Sequence, residues 1–216
     1  MAITTAMLTS FKVDLLSGLH CFNQSRTFTA TGVSTQTWTS LSALTGIAVG
    51  CALSGTNVAA NTIVARILSS TSIRVSEAST GAIGTVTTVG DPYKIALIKV
   101  SPAGTYNASS TNYTDITGNS DEVTGTGYTA GGTALTNVDP TSISTTAFTN
   151  FSPNPSWTTA TFSTTGCMIY NTLQNGPVAT RAVSVHDFGG TQTVSAGTFT
   201  AVMPTADNNN AILRIA

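Results

Sequence analysis

Residues 157–203 read WTTATFSTTGCMIYNTLQNGPVATRAVSVHDFGGTQTVSAGTFTAVM, and this stretch decides the fold class. Threonine, valine and aromatic residues recur through it, while glycine, serine and asparagine interrupt it. Arg181 and Asp187 are its only charged side chains. A β-branched side chain restricts χ1 and packs well on a pleated, half-buried surface, so this texture favours strands over helix. The threonine hydroxyl can also stay solvated, which lets a sheet face water without charge. The pattern predicts strands at 158–162, 167–172, 179–186, 191–194 and 198–203.

Working outward, the same texture begins near residue 27. Further strands are predicted at 27–31, 36–40, 48–53, 62–69, 72–77, 85–89, 93–101, 134–138, 147–151 and 211–215. Many short strands with turn residues between them point to an all-β sandwich or barrel. The N-terminus differs. Ile3, Met7, Leu8, Phe11, Leu15, Leu16 and Leu19 recur at helical spacing, with Gly18 as a way out, which predicts one helix over 3–19. Asp91-Pro92 marks a junction, because the residue before proline is pushed away from the helical region. A polar stretch at 107–132, rich in Asn, Ser, Thr and Gly, reads as a long exposed loop.

Composition limits the function classes. Of 216 residues, 41% are hydrophobic and only 8% are charged, against about 25% in a typical soluble domain. Threonine and serine fill roughly 30% of positions. Disorder needs few apolar residues and high net charge, which is the reverse of this chain. No apolar run approaches the ~18 residues that span a bilayer. The net charge is −1 and the eight basic residues are scattered singly, so the basic stripe of a nucleic-acid binder is missing. An uncharged surface favours association, and interface cores are likewise depleted in charge. The first residues lack the charged region and apolar core of a signal peptide, so the sequons at Asn107 and Asn112 read as accidental. Cys21, Cys51 and Cys167 form no close-spaced pair, which excludes a CxxC-type motif. They read as small buried apolar side chains in a reducing compartment.

Several residues invite a chemical reading. His186-Asp187 with Cys167 has the composition of a nucleophilic triad, but no nucleophile motif surrounds it, and His186 reads as a strand-end residue before a turn. His20-Cys21 offers two metal-ligand types in adjacent positions that point in different directions, and reads as a helix-end pair. Asp121 and Glu122 are adjacent acids in the polar stretch and read as solvated. Asp115 and Asp121 lack the spacing of a calcium loop. Gly125, Gly127, Gly131 and Gly132 suggest a phosphate cradle, but no lysine follows, and they read as positive-φ turn positions. Trp157 reads as core, and Trp38 as core or interface. The expectation is no catalytic residue, no cofactor-binding residue and no metal ligand.

Ordered segments of the chain resemble a group of small tailed-bacteriophage virion proteins. The segments are DPYKIALIKV (91–100), EVTGTGYTAGGTAL (122–135), WTTATF (157–162), GCMIYN (166–171), VHDFGGTQTVSAGTFTAVMP (185–204) and NAILRIA (210–216). The resemblance covers about 1–22 and 91–216. Residues 46–89, beginning GIAVGCALSGTNVAANTIVARILSSTSIRVSEAS, look like a small β module of phage structural and bacterial surface proteins. Cys51 stands where methionine is common there, and Asn57-Val58 replaces Gly-Ile.

The resemblance implies a virion component without catalysis. The fold expected is an all-β main domain, sandwich-like, made of 1–23 and 91–216 with one N-terminal helix, carrying a small β module inserted at 24–90. The function expected is that of a capsid decoration (cement) protein, a homo-oligomer that binds the major capsid protein or other virion proteins, with no nucleic acid, membrane or cofactor. Its location would be the virion, assembled in the host cytoplasm. A tail component and a receptor- or carbohydrate-binding module are the rival readings, and an exposed aromatic cluster beside the 107–132 loop would favour the latter.

Overall fold

The computed structural model describes residues 3–173 and 179–216. In chain order its elements are β1 (Ala6–Met7), α1 (Thr9–Leu16), β2 (Arg26–Thr29), β3 (Thr37–Trp38), β4 (Ala52–Gly55), β5 (Val64–Ser69), β6 (Ser72–Val75) and β7 (Thr85–Val89). There follow β8 (Tyr93–Lys99), α2 (Thr114–Gly118), β9 (Thr133–Leu135), β10 (Thr141–Ile143), β11 (Thr146–Thr149), β12 (Ser156–Asn171), β13 (Ala182–Thr200) and β14 (Leu213–Ile215). The protein is mostly β, in several antiparallel sheets. It divides into two compact units, one of Met1–Leu19, Pro92–Thr136 and Ser142–Ala216, the other of His20–Asp91 and Asn137–Thr141.

The larger unit is built on a five-stranded sheet ordered β1-β13-β12-β8-β9, with a three-stranded sheet β10-β11-β14 beside it in the chain's connectivity. Ile95, Ala96, Leu97 and Ile98 of β8 are all at most 1% exposed. Successive strand residues point to opposite faces, so this run can be buried only if both faces of the sheet are covered. On one face Tyr93 meets Phe151 at a ring distance of 5.5 Å. The C-terminal segment lies over the same face, where 201–204 and 210–214 share a cavity with Ile95, Cys167 and Ile169. On the other face Ile3 approaches Gly166 so closely that a Cβ there would sit 2.7 Å from Ile3 Cδ1.

The pairs predicted at 158–162 with 167–172, and at 179–186 with 191–194 and 198–203, merge into two long strands. β12 and β13 run 16 and 19 residues and stay paired through register shifts. The breaks expected from glycine and serine are bulges rather than turns. One lies where Gly166 faces Asp187 and Thr164 faces Gln192, leaving Phe188–Thr191 looped out.

The N-terminal helix over 3–19 is a correction. Ile3 instead bridges to Tyr106, Ala6 and Met7 pair with Val185 and Ser184 of β13, and only Thr9–Leu16 is helical. β13 offers unpaired backbone groups at the sheet margin, and strand pairing there satisfies donors and acceptors that a second helical turn would leave to water. Leu8 and Phe11 remain core, whereas Val13 and Leu16 are 60% and 91% exposed.

The smaller unit has two antiparallel three-stranded sheets, β2-β7-β4 and β3-β6-β5. Their shared core is Phe28, Trp38, Leu41, Ile47, Leu53, Val64, Ile73, Val75, Ile83 and Val86. Trp38 is fully buried and its Nε1–H donates to the Thr35 carbonyl at 3.2 Å. Cys21 and Asp91, near the start and at the end of the unit's longer segment, are clasped: Cys21 N–H donates to the Asp91 carboxylate at 3.0 Å, and Asp91 N–H donates to the Cys21 carbonyl at 2.8 Å. Gly90 is required beside this clasp, since a Cβ would fall 1.9 Å from the Asn23 carbonyl oxygen. Asn137 donates to the Asp91 carbonyl and Asp139 pairs with Arg26, which brings 137–141 into the unit.

The cysteines are a second correction. Cys21 and Cys51 form a disulfide across 30 residues of chain, with Cα atoms 5.6 Å apart, and only Cys167 is free. Wide sequence spacing concealed a pair that the strand arrangement brings together.

Titration of the unfolded, unreduced chain with a thiol reagent will therefore count one thiol, and three after reduction. Cys21→Ser/Cys51→Ser will lower unfolding free energy by about 3–4 kcal/mol in denaturant melts, as the closure of a loop of this length implies. The parent in reductant will show the same loss.

Candidate functional site

The acids expected to be solvated are the organising centre of 101–132, which corrects that expectation. Asp121 is 0% exposed. Its carboxylate accepts from the Ala103 amide at 2.9 Å, the Gly104 amide at 2.7 Å and the Tyr106 hydroxyl at 2.6 Å. Lys99 Nζ completes the shell at 3.0 Å. Burial alone would raise this carboxyl. The Tyr106 hydroxyl, the two amides and Lys99 outweigh it and hold Asp121 at about 2, below the ordinary 3.8. The stretch is therefore a folded strap carrying α2, with Ile116 and Val123 buried, and not a loose loop.

Glu122 forms a second hub. Tyr113 donates its hydroxyl to Oε2, and Tyr128 and the Gly131 amide each donate to Oε1 at 2.7 Å. Tyr170 donates to the Gly131 carbonyl at 2.7 Å and stacks on Tyr113 with ring centroids 4.4 Å apart. Burial, reinforced by Glu122, pushes Tyr113 and Tyr128 far above the ordinary phenol range, and the Leu97 amide on Tyr128 only partly opposes it. Burial and the Glu122 charge push Tyr170 to about 12. These phenols are permanent donors. All four glycines of the suspected cradle have positive φ, and Gly131 offers its amide to the protein's own carboxylate, where a phosphate would meet like charge. The tyrosines were missed in the sequence because nothing local marks a phenol as the partner of a distant acid.

Cys167 and His186 are brought together. They are directly opposite each other on β12 and β13 and line a cavity of about 300 Å³ with Ile95, Ile169, Asp187, Phe188, Asn210 and Arg214. His186 thus lies inside a strand, not at a strand end. Opposite residues share a face with Cβ atoms about 5 Å apart. The chemistry of a nucleophilic pair is nonetheless missing. Burial pushes the Cys167 thiol up to about 12 and the His186 ring down to about 4, so both are neutral at pH 7. His186 Nε2 is engaged with Ser184 Oγ at 2.8 Å, and among the described residues no hydrogen bond joins the ring to the Cys167 sulfur. An activated thiolate needs a cation or an adjacent base, and neither acts on Cys167.

The remaining candidates resolve individually. His20 lies beyond the end of α1, stacked on Phe22 at 6.0 Å, and Cys21 is consumed by its disulfide, so they are not a helix-end pair. The Asp115 carboxylate accepts from the Thr111 and Asn112 amides. Among the described residues no group of three or more His, Cys, Asp or Glu is placed to hold a metal, and no helix is long and apolar enough to cross a membrane. An aromatic cluster does form beside the strap, from Tyr128, Trp157, Phe162, Phe188 and Phe199. Its Trp157 and Phe162 are 5% and 6% exposed, Phe162 meets Tyr128, Trp157 and Phe199 edge to face, and Tyr128, Phe188 and Phe199 are half-buried. Comparison with protein-family models, curated proteins and solved structures finds no match for this chain.

Two outcomes follow from these environments. Asp121 has a folded pKa below its unfolded value, so its contribution is complete above about pH 4 and is lost as pH falls through about 2. That contribution is about 2 kcal/mol, and Asp121→Asn, which removes the charge opposite Lys99 and sets an NH2 donor against two of the four donors that the carboxylate accepts from, will cost about 2–4 kcal/mol at pH 7 in denaturant melts. Native Cys167 will react with iodoacetamide at pH 8 on the order of a thousandfold more slowly than in the unfolded chain, as its thiolate fraction requires.

Proposed function

We propose that this protein is a structural component of a tailed-phage virion, a capsid decoration protein that binds the head shell as a homo-oligomer and strengthens it. The observation that carries the reading is the β12–β13 hairpin. β12 holds no charged residue and β13 holds only Asp187. β13 pairs with β1 at Ser184 and Val185; past the bulge at Phe188–Thr191 it runs beside β12 from Gln192 to Thr200, and among the described residues no strand pairs with its other side there. Natural edge strands are usually guarded by lysine, proline or a covering element. Here the margin past Asp187 holds no lysine or proline, its polar residues are threonine, glutamine and serine, and most of it is exposed. An edge of that kind suits a permanent neighbour better than water.

Further support comes from the inward use of the chemical groups. Asp121, Glu122, Cys167 and His186 are engaged in packing and hydrogen bonding, which is what a structural, non-enzymatic role asks of them. In this reading 1–23 and 91–216 form a sandwich-like main domain, and 24–90 is an inserted module. The reciprocal Cys21–Asp91 clasp is what an insertion needs, because it returns the chain to where it left. The strength of attachment arises from a modest contact, of about 1,000 Å² or more, repeated at many identical sites. A tail component would draw on the same features, and copy number separates the two.

Quantitative mass spectrometry of purified particles is expected to find hundreds of copies per particle, and a few dozen would move the protein to the tail. Ser195→Lys/Thr198→Lys, which guards the open edge with charge at two exposed positions, is expected to weaken shell binding about tenfold or more without lowering the melting temperature. A parent that stays monomeric when concentrated and does not co-sediment with any shell would refute the proposal.

A further inference from the structure

Charge is scarce in this protein, and three of its eight basic residues are neutralised by ion pairs. Arg26 pairs with Asp139, Lys99 with Asp121 and Arg181 with Asp14. In the smaller unit Asp91 is 3% exposed and takes the Cys21 amide. Two cations of that unit break the pattern. Arg66 of β5 and Arg74 of β6 are direct cross-strand partners. Opposite positions hold their Cβ atoms about 5 Å apart on one face, and like charges so placed repel. Both are exposed, and Arg74 donates to the Gln36 side chain at 3.2 Å. Glu77, the one remaining acid of the unit, is exposed and forms no ion pair with either arginine among the described residues.

The surroundings of the pair are specific. The register shifts on either side of Arg66, so Ala65 and Leu68 are extra residues on β5. Ile67 and Leu68 are 38% and 45% exposed, although Ile73 opposite Ile67 is fully buried. The hairpin therefore presents two guanidinium groups side by side on the face turned away from the core, Arg66 on the outer strand of the sheet and Arg74 on the central one, while Ile67 shares the other face with Ile73.

We propose that the β5–β6 hairpin docks on an acidic protein surface, with Arg66 and Arg74 gripping carboxylates. A guanidinium offers a planar fork that matches a carboxylate with two parallel hydrogen bonds, and two forks side by side suit a pair of acids. Arginine is also enriched at energetic interface centres. A nucleic acid is the poorer occupant, because phosphates recur along a backbone and call for a stripe of cations, whereas this hairpin has two and the basic residues elsewhere are scattered singly. The inference is independent of the virion reading, since it follows from the hairpin alone.

The test passes the full-length protein over immobilised poly-L-glutamate and over duplex DNA, at about 0.05 M and about 0.3 M salt. Binding to poly-L-glutamate at low salt is expected, with loss at high salt and at least about tenfold weakening in Arg66→Gln/Arg74→Gln. The variant is expected to melt at or above the parent temperature, because it relieves a repulsion. The single variants are run beside it as a check on folding. No binding to poly-L-glutamate, equal binding by the double variant, or tighter binding to duplex DNA would each overturn the proposal. So would a double variant that melts lower than the parent, which would make the arginines part of the fold.

Discussion

The strand pair β8–β12 is buried on both faces, and most of the larger unit is arranged to satisfy that. Ile95–Ile98 and Cys167–Asn171 give each face of the sheet an apolar surface, so the chain must lay material on both sides. The N-terminal segment supplies one cover, brought to Gly166 by Ile3. The C-terminal segment supplies the other, over Cys167 and Ile169. Covers made of irregular chain bring peptide groups and side-chain oxygens into dry surroundings, and each needs a partner there. Asp121 and Glu122 answer that need. A single carboxylate collects two amides, a phenol and an ammonium, and ties the 101–132 strap down from within.

On the outside the same problem is met with hydroxyls. Thr27 faces Thr87 at 3.2 Å, Ser163 faces Thr193 at 2.8 Å, and Ser69 faces Ser72 at 2.7 Å, each pair being direct cross-strand partners with oxygens in hydrogen-bond contact. Such pairs stabilise a sheet as opposite charges would, by up to about 1 kcal/mol each, and salt does not screen them. A surface built this way keeps these cross-strand bonds at any ionic strength. It lacks the long-range repulsion that holds ordinary soluble domains apart.

Strand content was legible because threonine and valine mark strands wherever they are half-buried, and most predicted strands lie on or beside observed ones. What failed had a physical reason in each case. The period of Ile3, Met7, Leu8 and Phe11 is helical, but an open margin on β13 competes for the same residues and takes the first of them. Separate strands were expected wherever glycine or serine intervened, yet bulges absorb an extra residue without ending a strand. The polarity of 107–132 suggested solvent because a carboxylate in the sequence carries no sign of the tyrosines and amides that meet it. The Cys21–Cys51 bond and the Cys167–His186 pairing are both long-range register effects, which residue spacing does not encode.

The clasp between Cys21 and Asp91 has a further meaning. Because each partner both donates and accepts, the clasp closes the chain from Cys21 to Asp91 into a loop with two hydrogen bonds, and the disulfide to Cys51 closes a smaller loop inside it. The smaller unit is thus a ring within a ring, in which reduction opens the inner closure and leaves the outer one held by hydrogen bonds.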